Sequence, residues 1–250
     1  MAVEFRLLGD VEAWVGGLRV EIGHVRQRCV LVALLVDVNR AVPTDQLIDR
    51  VWADDPPHNA RNALAAYMSR LRHLFAGAGD IQILRKPGGY LLSADPSSVD
   101  LHRFRGLVSV ARASSEPAAA AETFEEALRL WRGEPLSPLD TPWIAEVRNA
   151  LAVEWFSAVL DRNDAALAAG RHVQIVGDLT TIFQAYPLDE RLAAQLMLAQ
   201  YRSGRQAEAL ETYRVMRDRL VEELGVDPSP TLREAYQQIL DGDRSAPPAA

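Results

Sequence analysis

Cysteine and long apolar runs are nearly absent from this 250-residue sequence, which has one cysteine and a longest apolar run of Cys29 to Val36. A single cysteine excludes an internal disulfide and a cysteine-based metal site, and its apolar neighbours predict a buried thiol. A membrane-spanning helix needs about 20 apolar residues, so the run is too short. Because residues Met1 to Phe5 lack the features of a secretion signal, we expect a cytoplasmic protein.

Residue patterns that support catalysis or metal binding are also missing. The histidines at positions 24, 58, 73, 102 and 172 do not place two imidazoles on one helical face, which argues against a metal site. Adjacent acidic pairs such as Glu125 and Glu126 diverge on a helix and form no acid–base dyad. Neither a Gly-rich phosphate loop nor a nucleophile elbow occurs. The sequence predicts a protein that is not an enzyme and needs no cofactor or metal.

Lysine is nearly absent as well, since Lys86 is the one lysine among 27 basic residues. The net charge is −7, and all of this excess lies after residue 95, because residues 1–95 carry equal numbers of basic and acidic side chains. Acidic residues concentrate before residue 56, and none occurs from Arg61 to Ala78. This distribution predicts a positive face that holds DNA from one side of a nearly neutral domain.

The first 60 residues predict a small sheet followed by two helices. Three short runs separated by glycines are expected to form an antiparallel sheet: Val3–Leu8, Val11–Val15 and Leu18–Ile22. A helix is expected over Val25–Val38, and Thr44 is the predicted N-cap of a second helix that ends near Trp52. Prolines 56 and 57 then predict a loop.

The segment after this loop combines an apolar stripe with a basic outer face. At helical spacing the apolar residues Ala60, Leu64, Met68, Leu71 and Phe75 share one side, and Asn62, Ala66, Ser69 and His73 point the opposite way. Small side chains let a helix enter a DNA groove, and arginines bind phosphate or guanine edges. Two further runs, Ile81–Arg85 and Tyr90–Ser93, predict a hairpin that turns through residues 86–89. A recognition helix with a β-wing is expected, and a solvated arginine face is the alternative.

The rest of the chain has a helical pattern throughout. Seven helices are expected after a short linker at residues 95–98: Leu101–Ala113, Pro117–Trp131, Pro142–Ala169, Arg171–Ala185, Asp189–Ser203, Gln206–Leu224 and Ser229–Leu240. Gly170 and Gly204 occupy equivalent turns 34 residues apart, which is the tetratricopeptide period. We therefore predict a mainly α protein with two domains, residues 1–95 and 96–241. A disordered tail is expected beyond, with disorder beginning near Asp241.

Several motifs resemble a known family of regulators. The first domain resembles the OmpR-type winged helix through the segments at residues 45–52 and 69–72 and through Gly88-Gly89-Tyr90. Together with the segments at residues 99–104, 131–136 and 223–230, the chain resembles the Streptomyces antibiotic regulatory protein family, which joins this domain to a bacterial transcriptional activator domain. The sequence shows no ATPase module and no phosphoacceptor receiver domain.

This resemblance assigns roles to individual residues. The positions implied to approach base edges are Asn62, Ala65, Ala66, Ser69 and Arg70, and those implied to contact phosphate are Trp52, Tyr67 and Arg72. Trp52 could equally pack between the second and third helices. Lys86 at the wing tip, supported by Tyr90, is expected in the minor groove or along phosphate, although Tyr90 could simply pack the hairpin. The loop with Asp54, Asp55 and His58 is a candidate contact for RNA polymerase or a solvated turn.

The function implied is that of a transcriptional activator. Such a protein binds direct repeats near a promoter as tandem protomers or a homodimer, associates with the nucleoid, and contacts the sigma factor or α subunit of RNA polymerase to switch on antibiotic biosynthesis genes. The alternative is a regulator gated by a small molecule or peptide held in the helical domain, with Trp143, Trp155, Phe156 and Phe183 available as lining or as core. A helical scaffold with a non-binding winged helix is a third possibility.

Overall fold

The computed structural model describes residues 2–78 and 81–244, which divide into two compact units. Unit 1 contains the residues up to Val110 together with Glu125–Phe156, and unit 2 contains Ala111–Phe124 and the residues from Ser157 onward. Unit 1 thus includes segments beyond residue 95, and the domain limits expected from composition stay a prediction. In the part of the chain described, no helix is both long and apolar enough to cross a membrane.

A three-stranded antiparallel sheet opens unit 1, as predicted. Its strands pair in the order β1-β2-β3: β1 Val3–Arg6, β2 Glu12–Val15 and β3 Leu18–Val20. Phe5 lies opposite Ala13, and both side chains are fully buried. Side chains alternate between the faces of a strand, so this register directs one face of the sheet into the core.

Three helices follow: α1 Val25–Leu35, α2 Thr44–Trp52 and α3 Ala60–Leu74. Every residue of α1 from Cys29 to Leu35 is buried, because this helix is apolar around its whole circumference and forms the centre of the unit. The ring of Phe75, directly after α3, meets Phe5 edge-to-face at a centroid distance of 5.3 Å. This contact joins the C-terminal end of α3 to the sheet.

The predicted N-cap role of Thr44 is wrong. Helix α2 begins at Thr44 itself, and Pro43 occupies the N-cap position without a side-chain hydrogen bond. The physical reason is the strand β4 (Val42–Pro43), which the sequence analysis missed because two residues show no alternation. The Thr44 backbone N–H donates to the Gly88 carbonyl at 2.9 Å, so a carbonyl of the turn that precedes β6, not a side-chain hydroxyl, accepts from the first N–H of the helix.

The wing is a hairpin of β5 (Gln82–Lys86) and β6 (Gly89–Ser93), as predicted. Strand β6 lies between β4 and β5, and Leu84 pairs with Leu91 in the hairpin register. A Cβ atom on Gly89 would lie 2.1 Å from the Val42 carbonyl oxygen. Only glycine permits this close approach of β6 to β4, and the wing is thereby held against the start of α2.

Unit 1 also contains a buried carboxylate that joins distant parts of the sequence. Asp100, the first residue of helix α4 (Asp100–Ala113), accepts hydrogen bonds from the backbone N–H groups of Leu7 and Leu8 at 2.7 and 3.1 Å. Arg132 pairs with it at 2.5 Å. Burial raises the pKa of Asp100, although the hydrogen bonds from Arg132, Leu7 and Leu8 act in the opposite direction.

The segment around Arg132 pairs with the sheet through its backbone. The Arg132 and Leu136 N–H groups donate to the carbonyls of Leu8 and Leu7, and Val11 N–H donates to Ser137 O. A residue pattern cannot reveal this strand-like contact, because the partners lie more than 120 positions apart in the sequence. The sheet that supports the winged helix is therefore completed by residues from outside it.

The remaining helices agree closely with the predicted ones. Helices α4, α5 (Pro117–Leu128) and α6 (Pro142–Ala168) supply residues to both units, and unit 2 continues with α7 to α10: α7 His172–Ala185, α8 Glu190–Arg202, α9 Gln206–Arg219 and α10 Pro230–Arg244. A π-helical turn, Leu220–Leu224, extends α9. The mainly α class predicted from the sequence is confirmed.

Two equivalent glycine turns explain the repeat within unit 2. Gly170 and Gly204 have φ values of 75° and 76°, a left-handed conformation that favours glycine. After them, Arg171 N–H donates to Ala166 O and Arg205 N–H donates to Gln200 O. The same turn thus ends α6 and α8 at the spacing seen in the sequence.

The end of the chain differs from the prediction in one respect. Residues Asp241–Arg244, expected to be disordered, form the last turn of α10. An amphipathic helix packed through Leu232 and Ile239, both fully buried, carries its helical conformation past the expected end. Residues 245–250, the rest of the predicted tail, lie outside the described part of the chain.

Candidate nucleic-acid interface

Helix α3 has one buried face and one exposed face, at the positions that the periodicity predicts. Leu64, Met68 and Leu71 are fully buried. The residues expected to approach base edges are all exposed to solvent: Asn62, Ala65, Ala66, Ser69 and Arg70. Four of these five side chains are small or end in an amide, so the backbone of α3 can approach a groove closely.

Tyr67 lies at the edge of this face within a cluster of aromatic rings. Its ring stacks on that of Trp52 at 6.1 Å with an interplanar angle of 23°, and His24 meets it edge-to-face at 5.1 Å. Trp52 is only 7% exposed. Of the two interpretations given for Trp52, packing between α2 and α3 is the one that its surroundings favour, and it supports Tyr67 from beneath.

Arg70 is exposed, and its guanidinium lies 5.9 Å from the centroid of the Tyr67 ring. Within residues 2–78 and 81–244 no carboxylate lies within ion-pair distance of it. By contrast, Arg61 at the start of α3 pairs with Asp45 at 2.7 Å, although both side chains are more than 70% exposed. Arg70 therefore retains its charge and most of its hydrogen-bonding capacity for a ligand.

Arg72 connects the recognition helix to the wing. Its Nε donates to the Ile83 carbonyl at 2.7 Å, and its guanidinium lies 5.9 Å from the Tyr90 ring. Tyr90 is 6% exposed, so it packs in the hairpin and holds Arg72 there. A phosphate contact by Arg72 would use its remaining guanidinium nitrogens.

The wing tip presents Lys86 beside a tight two-residue turn. Lys86 is exposed and pairs across the turn with Gly89. Gly88, within the turn, has a φ of 78°, which favours glycine. The expected ammonium at the tip of the wing thus lies at the end of a paired hairpin.

The loop between α2 and α3 is exposed at all three candidate positions: Asp54, Asp55 and His58. Short backbone hydrogen bonds shape it, since Asp55 N–H donates to Trp52 O and Ala60 N–H donates to Pro57 O. The two carboxylates project from this turn and have no ion-pair partner among the described residues. Such a surface can receive a basic protein segment.

The start of α1 and its N-cap contribute basic residues that were not predicted as part of the interface. His24 contacts Tyr67, Arg26 donates to the Val51 carbonyl, and Arg28 pairs with Glu21 at 2.9 Å. The basic segment His24-Val25-Arg26-Gln27-Arg28 is visible in the sequence, but nothing in its pattern shows that it lies beside α3. Tertiary contact through Tyr67 extends the candidate interface to α1.

Metal binding and thiol chemistry are both poorly supported by the residues that the structure describes. Among the described residues, no group of three His, Cys, Asp or Glu side chains is placed to hold a metal ion. Burial raises the pKa of the Cys29 thiol to about 11, so it is almost entirely protonated near neutral pH. As predicted, Cys29 is a buried core residue, with no solvent exposure.

The aromatic residues considered as a ligand lining make separate local contacts. Trp143 lies under the guanidinium of Arg50 at 4.7 Å, and Trp155 lies 6.4 Å from Trp131 in a tilted arrangement. Phe183, 8% exposed, packs against Arg219 in unit 2. Each of these three rings has a packing partner within its own unit.

The chain matches two protein families. "Transcriptional regulatory protein, C terminal" matches residues 21–92, which include the three helices and the wing. "Bacterial transcriptional activator domain" matches residues 99–240, which is more than half of the chain.

Similar proteins include regulators from Streptomyces and Mycobacterium. Regulatory protein AfsR of Streptomyces griseus is 39% identical over 97% of this chain, but the chain spans only 25% of AfsR. Transcriptional regulator RedD of Streptomyces coelicolor is 38% identical, with 96% of this chain and 71% of RedD covered. A solved structure of Mycobacterium tuberculosis EmbR in complex with a low-affinity phosphopeptide has a TM-score of 0.88 at 35% identity, covering 96% of this chain and 65% of that one.

Proposed function

The chain belongs to the Streptomyces antibiotic regulatory protein family, and we propose that it is a sequence-specific DNA-binding activator of transcription. In this proposal α3 enters the major groove, the wing lies along the adjacent minor groove or backbone, and the protein acts in the cytoplasm on nucleoid DNA. Its proposed targets are promoters of secondary-metabolite genes, as the name of the family suggests.

One observation carries the proposal: the outer face of α3 is exposed, narrow and free of carboxylates. Asn62, Ala66 and Ser69 leave room for the groove, and Arg70 stands beside them without an acidic partner among the described residues. An arginine that donates two hydrogen bonds to guanine discriminates between bases by about 1–3 kcal/mol. Because few side chains on this face are long, DNA shape and a second protomer supply the rest of the specificity.

Two protomers therefore bind direct repeats in tandem, as a homodimer or as separate chains that meet on the DNA. The loop with Asp54, Asp55 and His58 is exposed and precedes the base-contacting positions in the sequence. It is proposed as the contact with RNA polymerase holoenzyme, through its sigma factor or α subunit. The acidic character of this loop suits a basic segment of the polymerase.

Selection of bound duplexes from a randomised DNA library tests the proposal with the full chain. We expect enrichment of a repeated half-site, with both copies in the same orientation, and affinity that falls as salt rises because phosphate contacts release counterions. Changing the spacing between half-sites by half a helical turn is expected to abolish tandem binding.

The matched control is the variant Arg214→Ala, which removes an exposed arginine of α9 outside the proposed interface. It should select the same half-site with unchanged affinity. If the full chain enriches no sequence at low ionic strength, the proposal of specific DNA binding is wrong.

A further inference from the structure

Unit 2 contains an open cavity of about 340 Å³ whose floor is apolar. The buried side chains of Ala111, Ala120 and Phe124 form the floor, and Pro117, Ala165 and Ala168 form the walls. Helices α4, α5, α6 and α8 all contribute to the lining. The volume falls at the lower end of the range of about 300–1,000 Å³ typical of small-molecule sites.

A chain of alternating charges crosses the rim of this cavity. Arg112 pairs with Asp161 at 2.6 Å, Asp161 pairs with Arg191 at 2.7 Å, and Arg191 pairs with Asp164 at 2.5 Å. All four residues line the cavity. The two arginines and two aspartates cancel in net charge, so net charge alone does not select a ligand.

Within this row of ion pairs, the carboxylate oxygens are used as acceptors more completely than the guanidinium N–H groups are used as donors. Asp161 accepts from Arg112 on one carboxylate oxygen and from Arg191 on the other. Asp164 accepts from Gln195 Nε2 on Oδ1 and from Arg191 on Oδ2. Every oxygen of the two carboxylates therefore already has a donor.

The guanidinium groups keep unused donors. Arg112 engages Asp161 and Ser157 through Nε and Nη2, and Arg191 engages its partners through the same two nitrogens. The Nη1 group of each arginine donates to no protein atom in the described part of the chain. The groups left unpaired at the rim are therefore positively charged hydrogen-bond donors, which suit an anionic acceptor.

A buried network holds the rim in place. Gln195, 3% exposed, donates to Asp164 and to the Leu160 carbonyl, and its side-chain oxygen accepts from the fully buried Asn163. Side chains positioned by such a network lose little conformational entropy when a ligand binds. The charged rim is thus organised before any ligand arrives.

From this geometry we propose that the cavity of unit 2 binds a small organic carboxylate with an apolar body. The carboxylate accepts hydrogen bonds from Nη1 of Arg112 and of Arg191, and the apolar body rests on Ala111, Ala120 and Phe124. The proposed site depends neither on DNA binding nor on membership of the family, so its test is independent of the proposed function.

Binding of 3-phenylpropionate to the full chain, followed by ligand-observed NMR and titration calorimetry, tests the proposal. Two companion probes separate the parts of the site: 3-phenylpropionamide keeps the apolar body without the charge, and acetate keeps the charge without the body. We expect saturable binding of 3-phenylpropionate and binding of each companion that is weaker by about tenfold or more.

Three variants and a control locate the site. Arg112→Gln and Arg191→Gln should each weaken binding of 3-phenylpropionate about tenfold. Ala165→Leu fills the cavity with the ion pairs intact and should abolish binding, and Arg214→Gln, on α9 outside the cavity, should leave it unchanged. Circular dichroism verifies that each variant is folded.

Several results would overturn the proposal. They are the absence of saturable binding of 3-phenylpropionate, equal binding of the amide or of acetate, and unchanged binding to the folded Ala165→Leu variant. Equal affinity in the two Arg→Gln variants and the control would likewise show that the rim arginines take no part.

Discussion

The arginines of helix α3 and those of unit 2 differ in what their guanidinium groups contact. In unit 2, several arginines pair with carboxylates: Arg112 with Asp161, Arg171 with Glu122, Arg191 with Asp164 and Arg214 with Glu211. In α3, Arg70 lies against an aromatic ring and Arg72 against a ring and a carbonyl. Only Arg61 of α3 has a carboxylate partner, Asp45, among the described residues.

This difference separates arginines whose charge is compensated by a carboxylate from those whose charge is not. A guanidinium paired with an aspartate has its charge compensated and keeps only its remaining N–H groups for a ligand, whereas one that lies on a tyrosine ring keeps its charge uncompensated. The absence of acidic residues between Arg61 and Ala78 produces the second state on α3. From residue type alone, the arginines of α3 and those of unit 2 would both be described as basic surface.

The largest effect, on the free energy of unfolding, is expected where the carboxylate partner of an arginine is buried. Asp100→Ala leaves Arg132 without its carboxylate and the N–H groups of Leu7 and Leu8 without an acceptor, so the free energy of unfolding should fall by about 3 kcal/mol. Urea unfolding followed by circular dichroism measures it. Asp218→Ala, which removes an exposed partner of Arg217, is the matched control and should leave the midpoint unchanged. Equal shifts in both variants would contradict the distinction between buried and exposed pairs.

Removal of Arg70 should have the next largest effect. In Arg70→Ala the affinity for a selected half-site should fall by about 1–3 kcal/mol, while the affinity for random duplex falls much less. Fluorescence anisotropy with both DNAs at one salt concentration gives the ratio. Similar losses on the two DNAs would instead assign Arg70 to phosphate, and the comparison would then concern phosphate contacts alone.

Tyr67 tests whether the aromatic support of Arg70 matters. Tyr67→Leu removes the ring beneath the guanidinium and should weaken specific binding by about 0.5–1 kcal/mol, whereas Tyr67→Phe keeps the ring and should bind like the wild type. The same anisotropy assay applies. If the phenylalanine variant loses as much affinity as the leucine variant, the hydroxyl makes the phosphate contact that the family resemblance implies.

The smallest effect is expected for an arginine of unit 2. Arg214 pairs with Glu211 three residues earlier, and both side chains are more than 60% exposed, so the pair contributes little to stability. Arg214→Ala should change neither the melting temperature nor the affinity for the selected half-site. A loss of DNA affinity would show that the acidic half of the chain also meets DNA, and the comparison would fail.

Much of the fold follows from local patterns in this chain. The apolar stripe of α3, the glycines at 170 and 204 and the hairpin around residues 86–89 each predict their element, because helical period and turn geometry are set by neighbours in the sequence. Strand β4 and the helix start at Thr44 were not predictable in this way. They depend on pairing with β6 and on the Gly88 carbonyl, which lie more than 40 residues away.

The sequence by itself determined where most of the helices lie, which face of α3 is basic and to which family the chain is similar. Tertiary structure alone decided that Trp52 packs against Tyr67, that His24 lies beside the same ring, and that Asp100 holds the first sheet through Leu7 and Leu8. The physical reason is the separation in sequence over which each interaction acts. Periodicity and capping act within a few residues, whereas stacking, burial and ion pairing depend on which distant side chains the packed core brings together.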